Sequence, residues 1–157
     1  MKPAGYRDIP AEEIPIHELS SGGRVKVIAG SVPLNGQTIE GPIAGLTTEP
    51  LYLDVQLPAG ASFSAPVPRG LNAMAYVFEG NLQLAGDIRM LPTHSGAVLS
   101  DGDTAEFIAG SAGARFLLLA GRPLNEPIVQ YGPFVMNTVA EIEQAIRDYQ
   151  AGRLTAA

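Results

Sequence analysis

The sequence contains no cysteine, which excludes disulfide bonds, thiolate metal sites and cysteine nucleophiles. It also lacks any apolar run close to the roughly 18 to 20 residues that a membrane-spanning helix needs. The first fifteen residues carry charges and prolines where a signal peptide would have an uninterrupted apolar core. These absences lead us to expect a protein of the cytoplasm with no membrane contact, and the length of 157 residues predicts a single domain.

Basic residues are few and scattered. Ten Lys and Arg stand against sixteen Asp and Glu, a formal net charge of −6. Affinity for nucleic acids comes largely from clustered Lys and Arg that displace counterions from phosphates. We therefore expect no direct binding of nucleic acid.

No self-sufficient catalytic or metal-binding group is visible. The two histidines, His17 and His94, have no ligand-like spacing, and no G-x-S-x-G nucleophile elbow occurs. The pair Asp101 and Asp103 flanks a glycine, which favours a hairpin turn over a catalytic carboxylate pair. We predict no catalytic, cofactor-binding or metal-binding residue, and hence no cofactor in this chain.

Short apolar segments separated by turn residues predict an all-β fold. Eighteen glycines and thirteen prolines punctuate the chain, and many short strands at close spacing favour a double-sheet jelly roll. The predicted strands are Arg24 to Ala29, Leu51 to Leu57, Ala73 to Phe78, Asn81 to Leu84, Ala97 to Leu99, Ala105 to Ile108 and Arg115 to Leu119. Turns are predicted at Glu79-Gly80, at Asp101-Gly102 and over Gly110 to Gly113.

One helix is predicted at the C-terminal end. Thr138 and Glu141 match a capping box, and Gly152 is a natural stop. Between them an apolar stripe recurs at helical spacing, which predicts an amphipathic helix; its members are Ile142, Ala145, Ile146 and Tyr149. The stripe needs a partner, either this domain's own barrel or a second chain.

The chain divides into three predicted parts: an N-terminal arm over residues 1–16, a barrel over residues 17–136, and a helix with its tail over residues 137–157. The two proline-isolated pieces of the arm, Tyr6 to Ile9 and Ile14 to Ile16, are too short to be stable alone. They would have to add to the edge of an existing sheet.

Two segments resemble the motifs of the cupin superfamily. Tyr76 to Gly80 is similar to the end of its first motif and Gly102-Asp103 to the start of its second. In metal-binding cupins these motifs supply three histidines and a glutamate. The resemblance places the paired-histidine positions within Pro66 to Arg69, the glutamate position at Ala73 and the last histidine near Gly113, and it therefore implies a barrel without metal ligands.

A more specific resemblance is to the pirin family. It is carried by Asn125-Glu-Pro127 and by the run from Tyr131 to Thr138, and it extends over most of residues 6–152. Pirins resemble two cupin barrels in tandem, with iron held in the N-terminal barrel. This chain resembles the C-terminal barrel alone, a single cupin-type jelly-roll barrel with one C-terminal α-helix.

The resemblance implies two alternative functions. The first is a metal-free, non-catalytic module for protein association or regulation, present as a homodimer or bound to a separate chain of the N-terminal type. The second is a subunit or fragment of an iron-dependent, quercetinase-like dioxygenase whose metal lies in another barrel. On its own we expect the chain not to be an enzyme. Its aromatic residues Tyr76, Phe78, Phe107 and Phe116 either line a ligand pocket or fill the barrel, and filling is favoured.

Overall fold

The computed structural model describes residues 6–154 and divides them into two compact units. The larger comprises residues 8–123, and the smaller comprises residues 124–154 together with Tyr6 and Arg7. Residues 1–5 of the predicted arm and 155–157 of the predicted tail lie outside the described range. Within that range no helix is both long and apolar enough to cross a lipid bilayer. The predicted part boundaries at residues 16 and 136 stay predictions.

The larger unit consists of ten strands preceded by a one-turn 3-10 helix. The helix spans Ala11–Glu13, and the strands are β1 (Ile16–Glu18), β2 (Arg24–Ala29), β3 (Ser31–Leu34), β4 (Gln37–Glu40), β5 (Leu51–Leu57), β6 (Ser62–Pro66), β7 (Asn72–Leu84), β8 (Met90–Pro92), β9 (Ser95–Val98) and β10 (Thr104–Gly121).

Eight of these strands form one antiparallel sheet around β10. The order is β1-β2-β5-β10-β7-β8, with β6 also paired to β10 and β9 also paired to β7. Strands β3 and β4 form a separate hairpin. This many-stranded antiparallel arrangement has the architecture of the predicted cupin-type jelly roll.

Two predicted turns are bulges inside long strands. The segments expected to end at Phe78 and at Ile108 run on as the continuous strands β7 and β10, with register shifts between Ala109 and Ala114 and between Arg115 and Phe116. Gly80 has a φ of +70° and a Cβ there would overlap the carbonyl oxygen of Gly113. Only glycine fits where the two backbones approach so closely. Glycine is typical of bulges as well as of turns, so this residue alone did not distinguish the two.

Alternation along the strands builds the core. In β5, Leu51, Leu53, Val55 and Leu57 are buried while the residues between them are half-buried. The inward residues of β2, β6, β7 and β10 join them in one apolar cluster. Each fully buried Val, Leu or Phe contributes about 1.5 to 3 kcal/mol, so this cluster holds the unit together.

The arm adds to the sheet edge in part. Strand β1 begins at Ile16 and pairs with β2, and the Val27 amide donates to the Pro15 carbonyl at 3.1 Å. The prediction that Ile14 to Ile16 would join an edge is confirmed. The other piece, Tyr6 to Ile9, is not in a strand.

The smaller unit contains a hairpin and the predicted helix. Strands β11 (Val129–Tyr131) and β12 (Phe134–Met136) pair with each other, and α1 spans Val139–Gln150. The capping box is confirmed: the Thr138 hydroxyl accepts from the Glu141 amide at 3.2 Å, and the Glu141 carboxylate accepts from the Thr138 amide at 2.8 Å. The ring of Tyr149 meets Phe134 edge-on, 6.3 Å between centroids, so this part of the stripe packs on the unit's own hairpin.

Candidate functional site

The interior of the jelly roll is filled by aromatic rings. Phe116 lies 4.8 Å from Phe107 and 6.2 Å from Phe63, measured between ring centroids, and none of the three is more than 4% exposed. Such tilted and edge-on contacts stabilise a core beyond the area they bury. Phe107 and Phe116 therefore fill the interior, as predicted.

Tyr76 and Phe78 do not fill the interior. They alternate with the buried Ala75 and Val77 and lie half-buried on the outer face of the sheet. The register shift next to Phe116 turns Phe78 and Glu79 outward together, and alternation then resumes. The favoured interpretation of all four aromatic residues as barrel filling is wrong for these two.

The positions that the resemblance assigns to metal ligands hold groups that cannot bind a cation. Ala73 and Val67 are buried, and Gly113, also buried, sits with its carbonyl against Gly80. Pro66 and Pro68 are exposed. Within residues 6–154, no three His, Asp or Glu side chains come together as a metal-binding group. Iron prefers imidazole and carboxylate ligands, so the residues of this interior do not fit it.

The two histidines lie at opposite edges of the main sheet. His17 is half-buried on the edge strand β1, with Nε2 3.3 Å from Nδ2 of Asn35. His94 is exposed in the turn between β8 and β9, at a φ of +63°, and its amide donates to the Val77 carbonyl. Neither imidazole belongs to a group of three His, Asp or Glu side chains that could hold a metal within residues 6–154.

Asp101 and Asp103 bind an arginine rather than form a hairpin. Their segment connects β9 to β10, which do not pair with each other, so the predicted hairpin turn is wrong. Arg69 Nη2 lies 3.1 Å from Asp103 Oδ2, and Arg69 Nη1 lies 3.7 Å from Asp101 Oδ2. Asp101 Oδ1 also accepts from the Gly70 amide.

The contacts of Asp103 favour its charged form. Hydrogen bonds from Arg69 first, and then from Thr104, hold the pKa of Asp103 below its ordinary value. A carboxyl that stays ionised cannot serve as a general acid near neutral pH. The pair ties the loop after β6 to the loop before β10.

The outer face of the sheet carries an exposed apolar row. Tyr52 on β5 pairs with Leu119 on β10, Leu119 pairs with Met74 on β7, and Met74 pairs with Val98 on β9. We call these four residues the apolar row. Val98 is 84% exposed and Met74 36%, so a continuous apolar band crosses four neighbouring strands.

A groove of about 730 Å³ runs along this row. Its wall includes Ile43 and the 44% exposed Leu46 from the segment before β5. The rim is fixed by Arg122, whose Nη2 lies 2.8 Å from Glu49 and whose amide donates to the Thr48 carbonyl. A contiguous apolar surface of this kind is typical of interaction sites. We call it the apolar groove.

Sequence reasoning missed the apolar groove because its members are far apart in the chain. Only the strand register brings Tyr52, Met74, Val98 and Leu119 into one row. The available signal was the apolar residue at the outward position of each strand, a departure from the apolar and polar alternation of a half-buried sheet.

The fold is that of a cupin-type jelly roll. Its interior is filled by apolar side chains, and the apolar groove lies on the outer face of the sheet. Residues 52–155 match the family model of the pirin C-terminal cupin domain. The chain therefore belongs to the pirin family, and the family resemblance and the fold class predicted from the sequence are confirmed.

Relatives and solved structures agree with that membership. The chain is 45% identical over 157 residues to a Pseudomonas aeruginosa protein provisionally named a quercetin 2,3-dioxygenase, covering 98% of this chain and 54% of the relative. It is 41% identical over 153 residues to a pirin-like protein of Caulobacter vibrioides, covering 98% and 53%. A crystal structure of quercetin 2,3-dioxygenase from Acinetobacter baumannii superposes with a TM-score of 0.83 at 36% identity, covering 98% of this chain and 52% of that one. The chain spans about half the length of the curated relatives it matches.

Proposed function

We propose that this chain is a non-catalytic association module of the pirin type, acting in the cytoplasm. In this proposal the apolar groove binds a metal-binding cupin barrel of the N-terminal pirin type. The observation that carries it is the apolar row, in which the side chains of Met74 and Val98 are exposed on the outer face of the sheet.

Two facts support this choice of partner. The chain matches the C-terminal domain of its family, and its relatives are about twice as long. The half that the relatives have in addition is thus a natural occupant of an apolar surface on this half. Burying such a surface against a partner is the main favourable term in protein association.

The lack of ligands in the interior supports the non-catalytic part of the proposal. Oxygen activation by a metal needs an ion held with an open coordination position. The described residues offer no cluster to hold one, so any such chemistry would have to take place in the partner barrel.

The names of the relatives favour a second candidate function. Because the Pseudomonas and Acinetobacter proteins carry the name quercetin 2,3-dioxygenase, a complex of this chain with an iron-bearing barrel would be the dioxygenase. Activity on quercetin that appears only after mixing the two would support this candidate.

The test is binding to the N-terminal half of the Pseudomonas aeruginosa relative, measured by sedimentation velocity and titration calorimetry. We expect a one-to-one complex that Val98→Glu weakens by at least about tenfold, because a charge would be desolvated in the interface. Ile88→Glu is the matched control, since Ile88 is 93% exposed outside the groove and should bind normally.

Several outcomes would contradict the proposal. These are no complex, equal weakening by both variants, or self-association of the chain through the groove, which would make the partner a second copy. Thermal melts of both variants show whether they are folded.

A further inference from the structure

A second row of side chains crosses the same outer face, and all five of its members are polar. Glu18 on β1 pairs with Arg24 on β2, Arg24 with Gln56 on β5, Gln56 with Arg115 on β10, and Arg115 with Glu79 on β7. We call these five residues the charged row. It lies four residues along β5 from Tyr52, about 13 Å away at the usual strand rise, and is therefore separate from the apolar groove.

The charged row lines a cavity of about 440 Å³. Gly22, Gly23 and Gly113 form part of its wall, so little side-chain bulk intrudes. The order of charges is symmetric, with a central amide, an arginine on each side and a glutamate at each end. The row has no net charge, but its positive charges lie next to the central amide and its negative charges lie at the two ends.

Several hydrogen-bond donors of the charged row have no acceptor among the described residues. Arg24 Nε donates to Gln56 Oε1 at 2.9 Å, and among residues 6–154 no acceptor meets the terminal nitrogens of Arg24 or the amide nitrogen of Gln56. Arg115 Nε is buried without an acceptor. Arg115 Nε is out of a ligand's reach, whereas the terminal nitrogens of the exposed Arg24 are open to an acceptor-rich group.

Arg115, the arginine between Gln56 and Glu79, is held in place by loose contacts. Arg115 Nη2 lies 3.4 Å from Asp54 and Nη1 lies 3.7 Å from Glu79, while its guanidinium carbon lies over the Phe78 ring, 4.9 Å from the ring centre. This cation–π contact helps to hold the guanidinium on the outer face. The long ion-pair distances leave its donors open to a carboxylate with better geometry.

The glutamates select the charge of the ligand. A simple anion over Gln56 would gain two guanidinium contacts but face Glu18 and Glu79 at the flanks, which reduces its net attraction. A ligand that also carries a positive group next to its carboxylate can pair with the arginines and with a glutamate at the same time. Neighbouring strands are about 4.8 Å apart, which suits the short separation of the two charges in an amino acid.

We propose that the charged row binds free amino acids, with the carboxylate between Arg24 and Arg115 above Gln56 and the ammonium group on Glu79 or Glu18.

The test is a titration of the full chain followed by ¹H–¹⁵N NMR, with L-glutamine, succinate and putrescine as probes. We expect saturable shifts at the Gly22, Gly23 and Gly113 amides with L-glutamine, and weaker binding of succinate and putrescine, which carry one sign of charge only. Arg24→Gln should weaken L-glutamine binding about tenfold, since it removes charge-assisted hydrogen bonds.

Arg24 is exposed, so its replacement should leave the fold and the melting temperature unchanged. Arg89→Gln is the control, because Arg89 pairs with Asp87 outside the cavity and should bind normally. The proposal is overturned if L-glutamine causes no saturable shift, if succinate or putrescine binds as well as L-glutamine, or if Arg24→Gln and Arg89→Gln behave alike.

Discussion

The two faces of one sheet differ in what they can do. The inward side chains of β5, β7 and β10 are alkyl and phenyl groups such as Leu53, Val77 and Phe116, all fully buried. The outward side chains of the same strands include Tyr52, Asp54, Arg115 and Met74. The interior of this cupin-type jelly roll is filled, and both of the proposed binding surfaces lie on the outer face of the same strands.

The largest expected effect compares Leu118 and Leu119, neighbours on β10 that point to opposite faces. Leu118 is fully buried and Leu119 half-buried. We expect Leu118→Ala to lower the free energy of unfolding by about 3 kcal/mol, from lost burial and the cavity left behind, and Leu119→Ala by about 1 kcal/mol. Urea unfolding measures both. Equal losses would show that the faces do not differ in their contribution to stability.

A smaller effect is expected at Gly80, which lies between the two register shifts of β7 and β10. We expect Gly80→Ala to destabilise the fold by about 2 kcal/mol, because a residue with a Cβ disfavours the left-handed backbone conformation at this position and the new methyl group overlaps the Gly113 carbonyl. Gly86→Ala is the control: Gly86 has a φ of +81° but nothing lies within 4 Å of a Cβ there. If both variants lose the same stability, the close backbone approach at Gly80 does not matter.

The smallest effect concerns the loop carboxylates. Asp103 has a pKa held below its ordinary value by Arg69, so its contribution to stability is present above the ordinary carboxyl pKa and is lost as the pH falls through the lowered one. Arg69→Gln should raise the pKa of Asp103, observed by NMR titration of its carboxyl carbon.

A second arginine and aspartate pair provides the control for that titration. Arg89→Gln should leave the pKa of Asp103 unchanged. It should instead raise that of Asp87, which hydrogen bonds from Arg89 hold at about 2. An unchanged pKa of Asp103 in Arg69→Gln would mean that Arg69 does not bind it in solution.

Local patterns predicted the elements that local physics determines. The alternation in Arg24–Ala29 and Leu51–Leu57 marked both strands with the bounds that the structure has, and the capping box marked the start of α1. One local signal was overlooked. Asn35 and Gly36 both have positive φ and join β3 to β4, the conformation that Asn-Gly favours in a two-residue hairpin.

Features that depend on strand pairing could not be predicted from the sequence. Glycine at Gly80 and Gly113 indicates a turn and a bulge equally well, and only the pairing of β7 with β10 decides between them. The same holds for the apolar row and the charged row, whose members come from four and five different strands. Their sequence separations are long, so no local window contains them.

The metal content of the purified chain tests the central claim, which is that the interior of the jelly roll is a packed apolar core and not a metal-binding site. The chain is expressed with added iron, dialysed against buffer without chelator, and measured by inductively coupled plasma mass spectrometry. The account predicts iron, nickel and zinc far below one equivalent per chain. A near-stoichiometric metal that survives dialysis, and is lost in Phe116→Ala but retained in Val98→Glu, would contradict it.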